Sequence, residues 1–173
     1  MHSQLERSRY VTRYLGIAAL VVVLDQLSKW FVQARFEYGQ RLDVLPFLDF
    51  TLVYNTGAAF SFLADQAGWQ RWILSAIAVL ASLFILWLLF KNKDQKRFCY
   101  ALALILGGAI GNLIDRLDTG RVVDFILLHW QGWHYPAFNI ADMAITFGAA
   151  LIILDELLRW KRQKHVSPEK RSK

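Results

Sequence analysis

From Trp72 to Phe90 the chain runs for 19 residues without a charged side chain, WILSAIAVLASLFILWLLF. A helix rises about 1.5 Å per residue, so this run is long enough to cross a hydrocarbon core about 30 Å thick. Three further stretches read the same way with interruptions. Phe98 to Ile114 gives 17 uncharged residues, in which Gly107, Gly108 and Gly111 permit close helix contact. Tyr14 to Phe31 is apolar except for Asp25, Gln26, Ser28 and Lys29, and Ile140 to Leu158 is apolar except for Asp142, Asp155 and Glu156. The expectation is one membrane domain, residues 1–173, with transmembrane helices over about 14–31, 72–90, 98–114 and 140–158. A soluble domain is disfavoured by a composition that is 55% hydrophobic, and 173 residues are too few for two full-sized soluble domains.

The 20 Lys+Arg exceed the 14 Asp+Glu, which is compatible with nucleic acid, an anionic membrane surface or a topology signal. Position decides between them. Arg7, Arg9 and Arg13 precede the first span, Lys91, Lys93, Lys96 and Arg97 lie between the second and third, and seven more fall in the tail 159–173. That is 14 of 20 on one side, against Lys29, Arg35, Arg41, Arg71, Arg116 and Arg121 on the other. Cytoplasmic loops carry the positive excess, so both termini are expected in the cytoplasm, with external segments at about 33–68 and 117–138. Tryptophans agree, with Trp30, Trp69, Trp72, Trp130 and Trp133 near the outer interface and Trp87 and Trp160 near the inner one. Nucleic acid is then unnecessary as a partner, and the basic tail reads as a disordered cytoplasmic end. A cleaved signal peptide at the N-terminus is disfavoured, since no small-residue cleavage site follows and Asp25 to Gln33 continues as helix. The single Cys99 excludes an internal disulfide framework and a multi-cysteine metal site.

In the longer external segment, Phe50 to Tyr54 alternates like a short strand, and 58–63 after Gly57 places Ala59, Phe60 and Leu63 on one face of a short interfacial helix. Arg121 to Trp130 is strand-like in the shorter segment. The fold expected is therefore an all-α membrane protein, four transmembrane helices with a small external β-sheet and a short interfacial helix.

The chemistry lies in the polar residues that this pattern tolerates. Asp25 and Lys29, four apart, share a helix face and read first as a structural ion pair. Asn112 and Arg116 share a face by the same spacing, with Asp115 beside them, and serve either a structural cluster or the orientation of a reacting group. Asp124 lies between Val123 and Phe125, and Asp142 just inside the last span. Each alone reads as an ion-pair partner. Together, at one depth on separate segments, they read as two carboxylates that cannot both ionise easily, so that one keeps a proton while the other deprotonates water, as in an aspartic peptidase. His129 and His134 lack a zinc-binding frame, Ser61 and Ser75 have no histidine placed to activate them, and no glycine-rich phosphate loop follows a strand. No metal or cofactor is called for. A proton-coupled carrier would show paired repeats or interrupted helices, and a scaffold would have no need of Asp124 and Asp142 in apolar surroundings.

Five ordered motifs now carry a resemblance over most of the chain: D-Q-L-S-K from Asp25, N-T-G-A-A-F from Asn55, G-G-A-I-G-N-L-I-D-R from Gly107, V-V-D-F from Val122 and F-N-I-A-D from Phe138. The sequence resembles the lipoprotein signal peptidases, or signal peptidases II. The resemblance implies an intramembrane aspartic endopeptidase that removes the signal peptide of bacterial prolipoproteins, cutting before a cysteine that already carries diacylglycerol. It matches Asp124 and Asp142 to the catalytic pair. Asn55, Asn112, Arg116 and Asn139 match positions that place the substrate or order the aspartates, with Gly108 and Ala141 in the same motifs, and Asp25 and Lys29 support the site. The partners implied are diacylglyceryl-modified prolipoproteins and membrane lipids; a monomeric chain is an expectation that the sequence itself does not decide.

Overall fold

The computed structural model describes residues 2–57, 68–92 and 94–166. In chain order the elements are α1 (His2–Arg35), β1 (Arg41–Leu45), β2 (Leu48–Asn55), α2 (Gln70–Lys91), α3 (Lys96–Asp118), β3 (Val122–Trp130), β4 (Trp133–His134) and α4 (Ile140–Val166). The interfacial helix expected at 58–63 lies outside the described residues.

Helix α3 is the hub, packing on α1, α2 and α4. Small residues make this possible. A Cβ added at Gly107 would lie 2.7 Å from Val21 Cβ of α1, and one at Gly108 would overlap the Ala141 carbonyl oxygen of α4. The backbones therefore meet where a larger residue would hold them apart, the same device that packs helices in lipid. Tyr14, Ile85, Leu89, Leu102 and Leu106 form a buried core near one end of the bundle. Its exterior is apolar too: Leu20 and Leu27 on α1, Leu80 and Phe84 on α2, and Phe147 and Leu157 on α4 are exposed. Such an apolar belt, too extensive for a water-soluble surface, marks a membrane protein.

Among the described residues, three helical segments are long and apolar enough to cross a membrane: Tyr10–Arg35, Gln70–Lys91 and Lys96–Asp118. Helix α4 differs because Asp142 near its start and Asp155 beyond leave 12 uncharged residues, Met143 to Leu154. Residues 159–166, assigned from sequence to a disordered tail, are instead the end of α4. Arg159 donates to Asp155 one turn back on α4 (2.6 Å) and to Gln95 beyond α2 (2.6 Å), the second a tertiary partner that the basic composition alone does not reveal.

At the opposite end of the bundle, where α1 and α3 finish and α2 and α4 begin, the strands form one antiparallel order β1-β2-β3-β4. Although α2 and α3 separate them in sequence, β2 and β3 pair with Val53 opposite Asp124 and Asn55 opposite Val122. Val32 of α1 packs with Leu52, Val123 and Phe125, fastening the sheet to the helices. The alternation at Phe50–Tyr54 lies within β2, and the strand-like run after Arg121 becomes β3. Strands β1 and β4 were not anticipated. All five residues of β1 are exposed, so pairing with β2 rather than burial defines it. The two residues of β4 depend on the Gln131-Gly132 turn, with φ of 47° and 85°, a two-residue hairpin geometry.

Candidate active site

The site begins with how α4 starts. Asn139 Oδ1 accepts the backbone N–H of Asp142 (3.0 Å), and Asp142 Oδ2 accepts the backbone N–H of Asn139 (3.3 Å). This reciprocal capping box satisfies N–H groups that a helix start otherwise leaves unpaired. The N-I-A-D spacing ahead of an apolar run was its sequence signal. As a consequence, the Asp142 carboxylate is fixed at the helix end rather than pointing along it.

The Asn139 side-chain amide has a second task. Its Nδ2 donates to Asp124 Oδ1 (2.7 Å), so one asparagine holds both carboxylates. Asn55, at the end of β2, donates to the other Asp124 oxygen (3.2 Å), and Asn112 on α3 donates to Asp142 Oδ1 (2.8 Å). Four elements thus converge: β2, β3, α3 and the start of α4. Asp124 is buried, and neither carboxylate forms an ion pair among the described residues. Burial first, and the neighbouring Asp142 carboxylate second, push the Asp124 carboxyl up to about 7 against the opposing pull of Asn55 and Asn139. Hydrogen bonds from neutral amides orient the pair without cancelling its charge.

Behind this pair lies a charged cluster of a different kind. Lys29 contacts Asp25 (2.8 Å) and Asp115 (2.9 Å), and its third contact is Asn112 Oδ1 (3.0 Å). With Oδ1 taken by Lys29 and by Asn139 Nδ2 (3.2 Å), the Asn112 amide has only one way to face, with Nδ2 toward Asp142. Asp25 Oδ1 accepts the N–H of Ala141, next to Asp142, and Asp115 Oδ2 accepts the N–H of Val123, next to Asp124. The ion cluster therefore fastens both segments that carry the paired aspartates. Gly111 leaves space for Asp25, since a Cβ there would lie 2.6 Å from Asp25 Oδ2.

Of the ten residues singled out from sequence, nine join this network directly or pack on it, Gly108 through its contact with Ala141. Arg116 lies at the edge. It donates to the Gly57 carbonyl (3.1 Å) and to the Asn112 backbone carbonyl (3.3 Å), and its Nε has no partner among the described residues. Two contributors were missed as site residues. Gln26 donates to Asp115 (2.9 Å), the Gly111 carbonyl (3.1 Å) and Asp25 (3.2 Å), and Asp115 couples Lys29 to β3. Gln26 was visible as a polar residue inside an apolar span, beside Asp25. His129 pairs with Asp49 (2.9 Å) on the sheet, and the described residues hold no group of three or more residues suited to a metal ion.

The sequence profile of the family described as signal peptidase (SPase) II matches residues 17–158. The chain belongs to the signal peptidase II family. It is therefore a membrane-embedded protease. A lipoprotein signal peptidase of Polynucleobacter necessarius is 53% identical over 151 residues, covering 87% of this chain and 93% of that protein. One from Paraburkholderia phytofirmans is 56% identical over 146 residues, 84% of this chain and 85% of its own. Among solved structures, a bacterial membrane enzyme determined by the in meso method at 2.3 Å resolution superposes with a TM-score of 0.76 at 31% identity. That match covers 94% of this chain and 93% of the other, so the helices and the sheet together follow the arrangement of that bacterial membrane enzyme.

Proposed function

We propose that this signal peptidase II is an aspartic endopeptidase acting on diacylglyceryl-modified prolipoproteins, cutting before the lipidated cysteine through a water activated by Asp124 and Asp142. The observation that carries this reading is the shared asparagine: Asn139 holds both carboxylates, and no cation among the described residues pairs with either. Two close carboxyls that are oriented but not neutralised keep one proton between them. The ionised member takes a proton from water as the water oxygen attacks the scissile carbonyl carbon, and the protonated member gives its proton to the carbonyl oxygen. Collapse of the tetrahedral intermediate breaks the C–N bond as the carboxyl that took the water proton gives it to the leaving amine and the other carboxylate takes back a hydroxyl proton, which restores the singly protonated dyad. Arg116, whose Nε has no partner among the described residues, sits at the edge of the same site as a group for placing the substrate backbone.

A substrate with acyl chains must offer its scissile bond at headgroup depth. That demand fits a site at one end of four membrane-spanning helices, α4 included, with the sheet outside. The 14 to 6 partition of basic residues supports cytoplasmic termini, and so a periplasmic site in the inner membrane. A monomer is the working unit of this reading.

The test is cleavage of a purified prolipoprotein in detergent, with and without its diacylglyceryl group. Each buried CH₂ of a lipid chain contributes about 0.8 kcal/mol, so the unlipidated substrate should be cut poorly or not at all. Equal rates on both would contradict a site built for lipidated cysteine.

A further inference from the structure

Outside the helices, the longest uncharged stretch is Phe125 to Asn139, FILLHWQGWHYPAFN. Burial does not account for it. Strand β3 is buried at Val122–Phe125 but exposed at Trp130, where relative exposure is 60%, and Trp133 across the turn stands at 62%. The turn between β1 and β2 behaves alike: Val44 to Leu48 carries no charge, and Val44, Leu45 and Phe47 are exposed. These two tips are neighbours, because the His129 N–H donates to the Phe47 carbonyl (3.0 Å). Together they make one aromatic and aliphatic patch with no charged residue in either turn.

We infer that this double tip is a lipid anchor, seated in the headgroup and upper acyl region of the same leaflet that meets the sheet end of the bundle. Three observations select lipid over a protein partner. The turns themselves carry no charged residue for complementarity, and Asp49 beside them is buried and paired with His129. Their tryptophans are of the type that concentrates at membrane interfaces, with an apolar ring and one N–H for water or headgroups. The patch also continues an apolar surface at the same end of the bundle, where Trp30 and Phe31 near the end of α1, and Trp69 and Trp72 around the start of α2, are exposed. A patch of this kind left in water would be an aggregation hazard.

The anchor has a consequence for catalysis, and that part rests on the peptidase reading. Asp124 and Trp130 lie on one strand, six residues apart, and at about 3.3 Å per residue the tip is about 20 Å from the carboxylate. Fixing one end of β3 in the bundle and the other in lipid sets the tilt of the strand over the leaflet. It thereby sets the height at which Asp124 meets the scissile bond. Trp130 and Trp133 are positioning residues in this account.

The experiment uses the full chain with its buried Cys99 replaced by alanine. A nitroxide is attached at Leu45→Cys, at Trp133→Cys or, as an aqueous reference, at Glu37→Cys, and the protein is reconstituted in phosphatidylethanolamine–phosphatidylglycerol vesicles. At positions 45 and 133 collisions with oxygen should exceed those with a water-soluble nickel chelate, and at position 37 the order should reverse. Nickel access at 45 or 133 equal to that at 37 overturns the anchor. So does access that falls only when a protein substrate is added, which would mark a protein-docking surface. These readouts need no cleavage, so they stand apart from any failure of the peptidase reading. For the catalytic part, a Trp130→Ser/Trp133→Ser variant should keep its rate in detergent and lose severalfold in vesicles. Equal rates in vesicles, or equal losses in both media, would contradict a positioning role.

Discussion

Two carboxylate pairs lie a few side chains apart in this molecule and are held in opposite ways. Asp25 and Asp115 share a cation, Lys29, at 2.8 and 2.9 Å. Asp124 and Asp142 share a neutral residue, Asn139, which donates its side-chain amide to Asp124 and its backbone N–H to Asp142, and they take their other hydrogen bonds from Asn55 and Asn112. A buried ammonium between two carboxylates neutralises charge and fixes geometry, and removing it leaves uncompensated charge in a low-dielectric setting. Neutral amides fix geometry equally well but leave the charge and the proton in play. The first pair is suited to holding segments together, the second to moving a proton, and Asn112 connects them by accepting from Lys29 and donating to Asp142.

The largest expected effects fall on the amide-held pair. Asp124→Asn and Asp142→Asn keep the shape of the side chain but remove its acid–base capacity, so each should lower cleavage of a lipidated prolipoprotein by about 10²-fold or more. The melting temperature of each in detergent should stay near or above that of the wild type. A variant that lost activity only because it failed to fold would show the opposite in the melt.

The cation-held pair should fail in the other direction. Lys29→Met leaves Asp25 and Asp115 buried without their cation, and breaking such a pair typically costs about 3–5 kcal/mol. The expected outcome is a lowered melting temperature and poor yield, with activity lost in proportion to unfolding. A Lys29→Met protein with wild-type melting but no activity would move Lys29 from the support to the reaction.

A smaller effect separates packing from charge. Gly108→Ala places a methyl against the Ala141 backbone, at the turn of α4 that carries Asp142. Overpacking of this kind costs about 1–3 kcal/mol, and the displaced helix start should lower kcat more than it raises KM. Wild-type kinetics for Gly108→Ala would show that the α3–α4 contact can relax without moving the dyad.

The gentlest probe is pH. The Asp124 carboxyl, raised to about 7 in the folded protein, has an unfolded value of about 3.9. Between these values the folded state holds a proton that the unfolded state has lost, so this group makes stability fall as pH rises from about 4 to about 7, with no further change above. Melting temperatures across that range should decline less steeply for Asp124→Asn than for the wild type. Identical slopes would mean that Asp124 does not hold a proton over this range.

Much of the site was legible in the sequence because its chemistry violates the solvent. Charged and amide side chains in apolar stretches, such as Asp25, Lys29, Asn112 and Asp142, are costly there and so announce themselves. The helices were legible for the same reason. Less visible were features that depend on partners in other elements: β1 exists because β2 pairs with it, and α4 continues to Val166 where Arg159 finds Gln95. The spacing of Asn112 and Arg116 showed a shared face, but not that Lys29 would set the direction of the Asn112 amide. That orientation is a property of three helices meeting and is absent from any one of them.

If Asp124 and Asp142 form one proton-sharing unit, their losses cannot be independent. Initial rates on a single lipidated prolipoprotein, measured for the wild type, Asp124→Asn, Asp142→Asn and the double variant, test this most directly. The double variant should be hardly slower than either single one, because removing one partner already disables the unit. Losses that multiply, or a single variant that keeps more than about a tenth of the wild-type rate where about 10²-fold is expected, would contradict a shared catalytic pair.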